Sequence, residues 1–153
     1  MHAGQTFSFR SVASAGALYP VELYLAVYQV DGLAAGLYHY DPLACCLATL
    51  RQGDLPMVPP TDQDVAATVY ISGILFRSAW KYRSRAYRYV LLDAGHLLEN
   101  LRLAVTALDR DCSIHLDFDD DQAATLLGLD ARQEVCLAGV HLTGNASHRN
   151  QGS

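Results

Sequence analysis

The stretch from Ala86 to Leu108 limits what this chain can fold into more than any other. Val90, Ala94, Leu97, Leu101, Ala104 and Leu108 recur at alternating steps of four and three, the spacing of one helix face. Leu91, Leu98 and Val105 form a second apolar row beside the first. A helix apolar over so wide an arc has to be covered on more than one side. The pattern predicts a long central helix that packs on its own sheet and offers a second surface to a partner chain.

The rest of the chain supplies that sheet. Val21 to Val30 alternates as a strand and ends at the turn signal Asp31-Gly32. Gly36 to Tyr40 and Cys45 to Leu50 read as a hairpin across Asp41-Pro42. Gly53 to Gln63 holds three prolines and reads as loop, and Val65 to Phe76 reads as a central strand. After the long helix come a strand (Cys112 to Phe118), a short helix and a last strand (Val135 to Leu142). Asp119 or Asp120 is placed to cap the short helix, with Gln122 to Leu127 as its body and Gly128 as its stop. The expected class is α+β with one mixed sheet. One domain is expected over residues 1–142, followed by a polar tail over 143–153.

The chain has 153 residues, of which 51% are hydrophobic and 18% charged, as in a folded domain. A net charge of −5 argues against an extended nucleic-acid surface. No apolar run reaches the ~18 residues of a membrane span, and no signal-peptide pattern precedes Arg10. A soluble, cytoplasmic protein without a membrane partner is the expectation. Cys45, Cys46, Cys112 and Cys136 form no Cys-x-x-Cys pair, so buried reduced thiols are expected.

Three segments have the residue types that chemistry needs. The first is Arg10 to Ala17, RSVASAGA. Small residues let a backbone approach a flat ring or a phosphate, and Gly16 removes a Cβ that would block it. Ser11 and Ser14 add hydroxyls, and Arg10 adds a fixed cation. The bland alternative is a structural turn before a strand. The second segment runs from Phe76 to Tyr89, with five cations between Arg77 and Arg88 and no acid before Asp93. It reads as a solvated helix start, a nucleic-acid patch, or a site for an anionic cofactor or peptide. Lys81 favours the last, because it is the only lysine beside ten arginines. Arginine stays protonated, whereas a lysine becomes a base once burial or neighbouring cations lower its pKa. Tyr82 beside it offers a complementary acid. The third segment is His96 to Asn100. His96 and Glu99 share a helical face but fall short of a metal set, so no metal is expected and His96 reads as a hydrogen-bonded packing residue.

Together, SAGALYPVELYLAVYQVDGL, GLYHYDP, RSAWKYRSRAYRYVLLDAGHLLENLRLAVTAL and FDDDQAATLLGLD resemble the nitroreductase-like superfamily. Within it they are most similar to the azoline (thiazoline/oxazoline) dehydrogenases of the SagB/ThcOx type. The resemblance covers most of residues 10 to 140. It implies an FMN held at the interface of a homodimer built through the long helix, or against a larger nitroreductase-like homologue. It places Ser14, Ala15 and Gly16 at the flavin, and Arg10, Ser11 and Arg77 are read as binding the cofactor with them. It assigns catalysis to Lys81 and Tyr82, acting on azoline rings of ribosomally made peptides. Two other functions fit the same fold: a non-catalytic scaffold module, and an NAD(P)H-dependent nitro or quinone reductase. The sequence departs from the family pattern at Ala13, where proline is usual, and at Ile114 to Asp117, where glycines are usual. The family's earlier Arg-rich helical segment is expected to be missing.

Overall fold

The computed structural model describes residues 10–58, 61 and 64–143. Six strands form one sheet: β1 (Val21–Val27), β2 (Gly36–Asp41), β3 (Cys46–Gln52), β4 (Val65–Ile74), β5 (Cys112–His115) and β6 (Glu134–Thr143). Three helices accompany them: α1 (Leu75–Tyr82), α2 (Ala86–Ala107) and α3 (Asp120–Leu127). The strand order is β3-β2-β1-β4-β6-β5. The α+β class is as expected. The sheet, expected to be mixed, is antiparallel at every pairing. The short connection from β1 to β2 makes an antiparallel pair, β4 returns beside β1, and β6 returns between β4 and β5, each antiparallel to its neighbours.

Strand β4 lies at the centre and is covered on both faces. One face carries α2, whose Ala94 packs with Val21, Ile71 and Ala138, flanked by Leu97, Leu98, Leu23 and Leu137. The helix comes down close at Gly73, where a methyl group would sit 2.7 Å from Val90 Cγ1 and 2.9 Å from Leu137 Cδ1. The other face buries Ala26, Leu37, Val58 and Tyr70 under Ala123, Leu126 and Leu127 of α3. Tyr70 is fully buried, and its hydroxyl donates to Val58 O at 2.7 Å and accepts from Val58 N at 3.2 Å. Burial holds that phenol far above its ordinary pKa.

Helix α3 follows its local signals. Asp119 accepts from Gln122 N, and Gly128 ends the helix in the left-handed region at φ 72°. Helix α2 follows the predicted span but divides its apolar rows differently. Val90, Ala94 and Val105 are buried, while Leu91 of the second row is half exposed. Helix α1 was not expected, because the predicted strand ran to Phe76. It starts directly from β4 and ends at Arg83, whose φ of 51° breaks the helix and lets α2 set off in a new direction.

The outward face of the two helices carries several exposed apolar side chains. Phe76 and Trp80 of α1 and Leu91, Leu92 and Leu103 of α2 are all more than half exposed. Among the described residues, no helix is long and apolar enough to cross a membrane. Cys45 and Cys46, expected to be buried, are exposed at the β2–β3 turn, where Cys45 has a φ of 50°. Cys136 is mostly buried, and desolvation pushes its thiol up to about 12. His96, expected to pack, is exposed on α2, and Glu99 pairs with Arg102 at 2.7 Å.

Candidate functional site

The sheet register builds the site. Val21 of β1 pairs with Gly73 of β4, and Ile74 N donates to Pro20 O at 2.8 Å. The chain entering β1 and the chain leaving β4 therefore emerge at the same end of the sheet. The loop over residues 14–19 thus lies beside α1, although some 60 residues separate them.

Lysine and loop meet at Gly16. A methyl group on Gly16 would sit 2.5 Å from Lys81 Nζ and 2.7 Å from the Tyr82 hydroxyl. A side chain there would have to push both groups aside, and Gly16 also has a φ of 66°, which favours glycine. Lys81 is exposed and its ammonium lies 5.6 Å from the Tyr82 ring centroid. Tyr82 is half-buried and stacks on Tyr89 at 4.3 Å. This is a Cβ-free patch of backbone with an amine and a phenol above it.

Two buried carboxylates hold this arrangement. Asp93 of α2 accepts from the Ser14 hydroxyl at 2.6 Å and from Ala15 N at 3.1 and 3.2 Å. Glu22 of β1 pairs with Arg77 of α1 and with His39 Nε2 at 3.0 Å. Arg77 also donates to Tyr19 O at 3.2 Å. Its guanidinium is therefore engaged within the protein, one helical turn before Lys81.

A cavity of about 290 Å³ opens on the other side of the loop. Arg10, Ser11, Ser14, Glu22 and Asp93 supply much of its polar wall, the two carboxylates being engaged by Arg77, His39 and the turn, and Val12, Leu23 and Leu97 supply much of its apolar one. Arg10 stacks over the Tyr19 ring at 4.9 Å. An arginine and a hydroxyl in a concave wall are the donor set an anionic group needs. At Gly16 the Lys81 ammonium and the Tyr82 hydroxyl fill the space a Cβ would take, so a flat ring enters there once those two side-chain ends swing aside. Arg10 and Ser11 therefore suit the phosphate of FMN, while Ala15 and Gly16 do not line this cavity. Lys81, Tyr82 and Arg77 do not line this cavity. Among the described residues there is no metal-binding group of three.

The sequence reading missed Asp93, Glu22 and Tyr19. Asp93 carried a signal: it lies between Val90 and Ala94 on the inward helix face, and a buried carboxylate needs donors. Glu22 gave a false signal, because strand alternation placed it outwards, whereas it is buried.

Comparison with known proteins gives a consistent result. The family model described as the nitroreductase family matches residues 1–144. Protein MJ1384 of Methanocaldococcus jannaschii is 31% identical over 65% of this chain and 54% of its own length. The microcin B17-processing protein McbC of Escherichia coli is 29% identical over 80% of this chain and 50% of its own. The trifolitoxin-processing protein TfxB of Rhizobium leguminosarum bv. trifolii is 27% identical over 92% of this chain and 41% of its own. The chain thus spans about half the length of these relatives. A crystal structure from Anabaena variabilis superposes over 88% of this chain and 29% of that one, with a TM-score of 0.81 at 31% identity. The E. coli microcin synthetase McbBCD complex with truncated pro-MccB17 bound superposes over 89% of this chain and 56% of that one. Its TM-score is 0.78 at 22% identity, a likeness of fold.

Proposed function

Because this chain belongs to the nitroreductase family, we propose that it works as an FMN-dependent oxidoreductase that dehydrogenates azoline rings in ribosomally made peptides. The observation that carries this reading is the meeting of Lys81 and Tyr82 over Gly16. Two relatives named for processing peptides, TfxB and McbC, support the substrate class.

Arg10 and Ser11 would hold the phosphate end of FMN, and Ala15 and Gly16 would border its ring. When bound, FMN supplies the two-electron acceptor for the hydride that leaves the azoline ring. Lys81 takes the proton from the neighbouring ring carbon. Loss of one proton and one hydride converts the azoline to an aromatic azole. Tyr82 orients the substrate or relays the proton from its position beside Lys81. Arg77 acts within the protein, because Glu22 and the Tyr19 carbonyl engage it.

The test incubates the protein and FMN with a thiazoline-bearing peptide and measures loss of two hydrogens by mass spectrometry. Conversion by the wild type and its loss in Lys81→Ala support the reading. Full conversion by Lys81→Ala sinks it. Rapid flavin reduction by NADPH with Lys81→Ala unaffected would instead favour a nitro or quinone reductase.

A second reading concerns assembly. The exposed apolar face of α1 and α2 favours a pairing, either with a second copy or with a larger homologue. A non-catalytic scaffold role would appear as stable pairing without flavin binding.

A further inference from the structure

We propose that Asp93 is a positioning residue: its carboxylate sets the Ser14–Tyr19 turn so that Gly16 lies beneath Lys81, and the Ser14 hydroxyl is a strut in that link and not a ligand donor. The proposal rests on Lys81 and Gly16 being the site, and gives a structural role to two residues of the neighbouring cavity wall.

The turn is strained. Gly16, Ala17 and Tyr19 all have positive φ, at 66°, 54° and 46°. For non-glycine residues this region is disfavoured, and it persists only where surroundings over-determine it. Asp93 provides that determination. It is 6% exposed, on a helix fixed against the sheet. Both of its oxygens accept from the turn, one from Ala15 N and the other from Ser14 Oγ and Ala15 N. Charge-assisted bonds of this kind are the strong ones.

Ser14 has no donor left for a ligand. Its hydroxyl hydrogen goes to Asp93, and Tyr19 N donates to its oxygen at 2.9 Å. That second bond closes the turn from within. Ala17 N donates to Ser14 O at 3.1 Å, so Ser14 anchors the turn at main chain and side chain alike. What the turn then presents to Lys81 is the bare Gly16 backbone.

The sole lysine makes the test direct. Protein labelled with ¹³C-lysine gives one Lys81 Cε resonance, and acylation of Lys81 can be followed by mass spectrometry. Neither readout needs cofactor or turnover. Ser14→Ala and Asp93→Asn should move the resonance and change the acylation rate several-fold. Ser14→Thr keeps the hydroxyl and should restore both. Val90→Ala weakens the same helix by removing buried methyl groups, and should lower Tm while leaving Lys81 unmoved. The proposal is overturned if Ser14→Ala and Asp93→Asn shift Lys81 no further than Val90→Ala does. It is also overturned if Ser14→Thr shifts it as far as Ser14→Ala. If Asp93→Asn does not fold, the Ser14 pair decides alone. A fully active Lys81→Ala would remove the proposed function and leave this result standing.

Discussion

Helices α1 and α3 are the same length and obey opposite rules. Helix α3 has an Asp cap, two acids in its first turn, a left-handed glycine at its end and three buried apolar residues. Helix α1 has Ile74 where a cap would be and no acid in its first turn. It ends at a left-handed arginine, and exposes Phe76 and Trp80. The only buried residue of α1 is Ser78. Local signals hold α3 in place, whereas α1 is held from outside, by Arg77 on Glu22 and Tyr19 and by the chain leaving β4. The candidate site is on α1. Local rules are broken where a segment serves something other than its own stability.

The largest effect that would break this comparison is at Lys81. Lys81→Ala should lower the proposed dehydrogenation by roughly 10²–10⁴-fold, the usual contribution of a positioned general base. Far-UV circular dichroism should be unchanged, because the side chain is exposed. A comparable loss in an α3 surface variant would erase the distinction.

The next effect separates the two faces of α2. Leu97→Asp puts a charge against Val21 and Ile71 and should cost about 3 kcal/mol or more in urea unfolding. Leu92→Asp is on the outward face, 61% exposed, and should leave the monomer folded while shifting light scattering from a pair to a single chain. If Leu92→Asp unfolds the protein, the outward face is core and α1 is less exposed than described.

Smaller effects sharpen the contrast in helix ends. Asp119→Ala should cost about 1 kcal/mol by removing the cap of α3. Arg83→Gly should gain up to ~1 kcal/mol by relieving the left-handed residue after α1. A Tm scan of both variants checks the opposite signs. The smallest effect concerns thiols. With its pKa pushed up to about 12 by burial, Cys136 has almost no thiolate at pH 8. Iodoacetamide should label exposed Cys45 and Cys46 well before it.

These helices also show what the sequence made legible. The period of α2 and the Asp119–Gly128 pair of α3 are local signals, and both helices fall where those signals lie. Helix α1 has no such signal, so it merged into the preceding strand. The alternation of Val21 to Val27 located β1 but put Glu22 on the wrong side, because periodicity cannot show that both faces of a sheet are covered. At the site, Gly16 and Lys81 were each singled out for their own chemistry. Their contact was not legible, since it depends on Val21 pairing with Gly73. Asp93 was passed over because it interrupts a row of apolar residues without breaking the helix.

The measurement closest to the central claim is a titration of the purified protein with FMN, followed by the visible flavin band. The account predicts saturable binding with a perturbed flavin spectrum in the wild type. It predicts weakened binding in Gly16→Val, whose side chain would fill the space under Lys81. A protein that leaves the spectrum of free FMN unchanged at every concentration would contradict it.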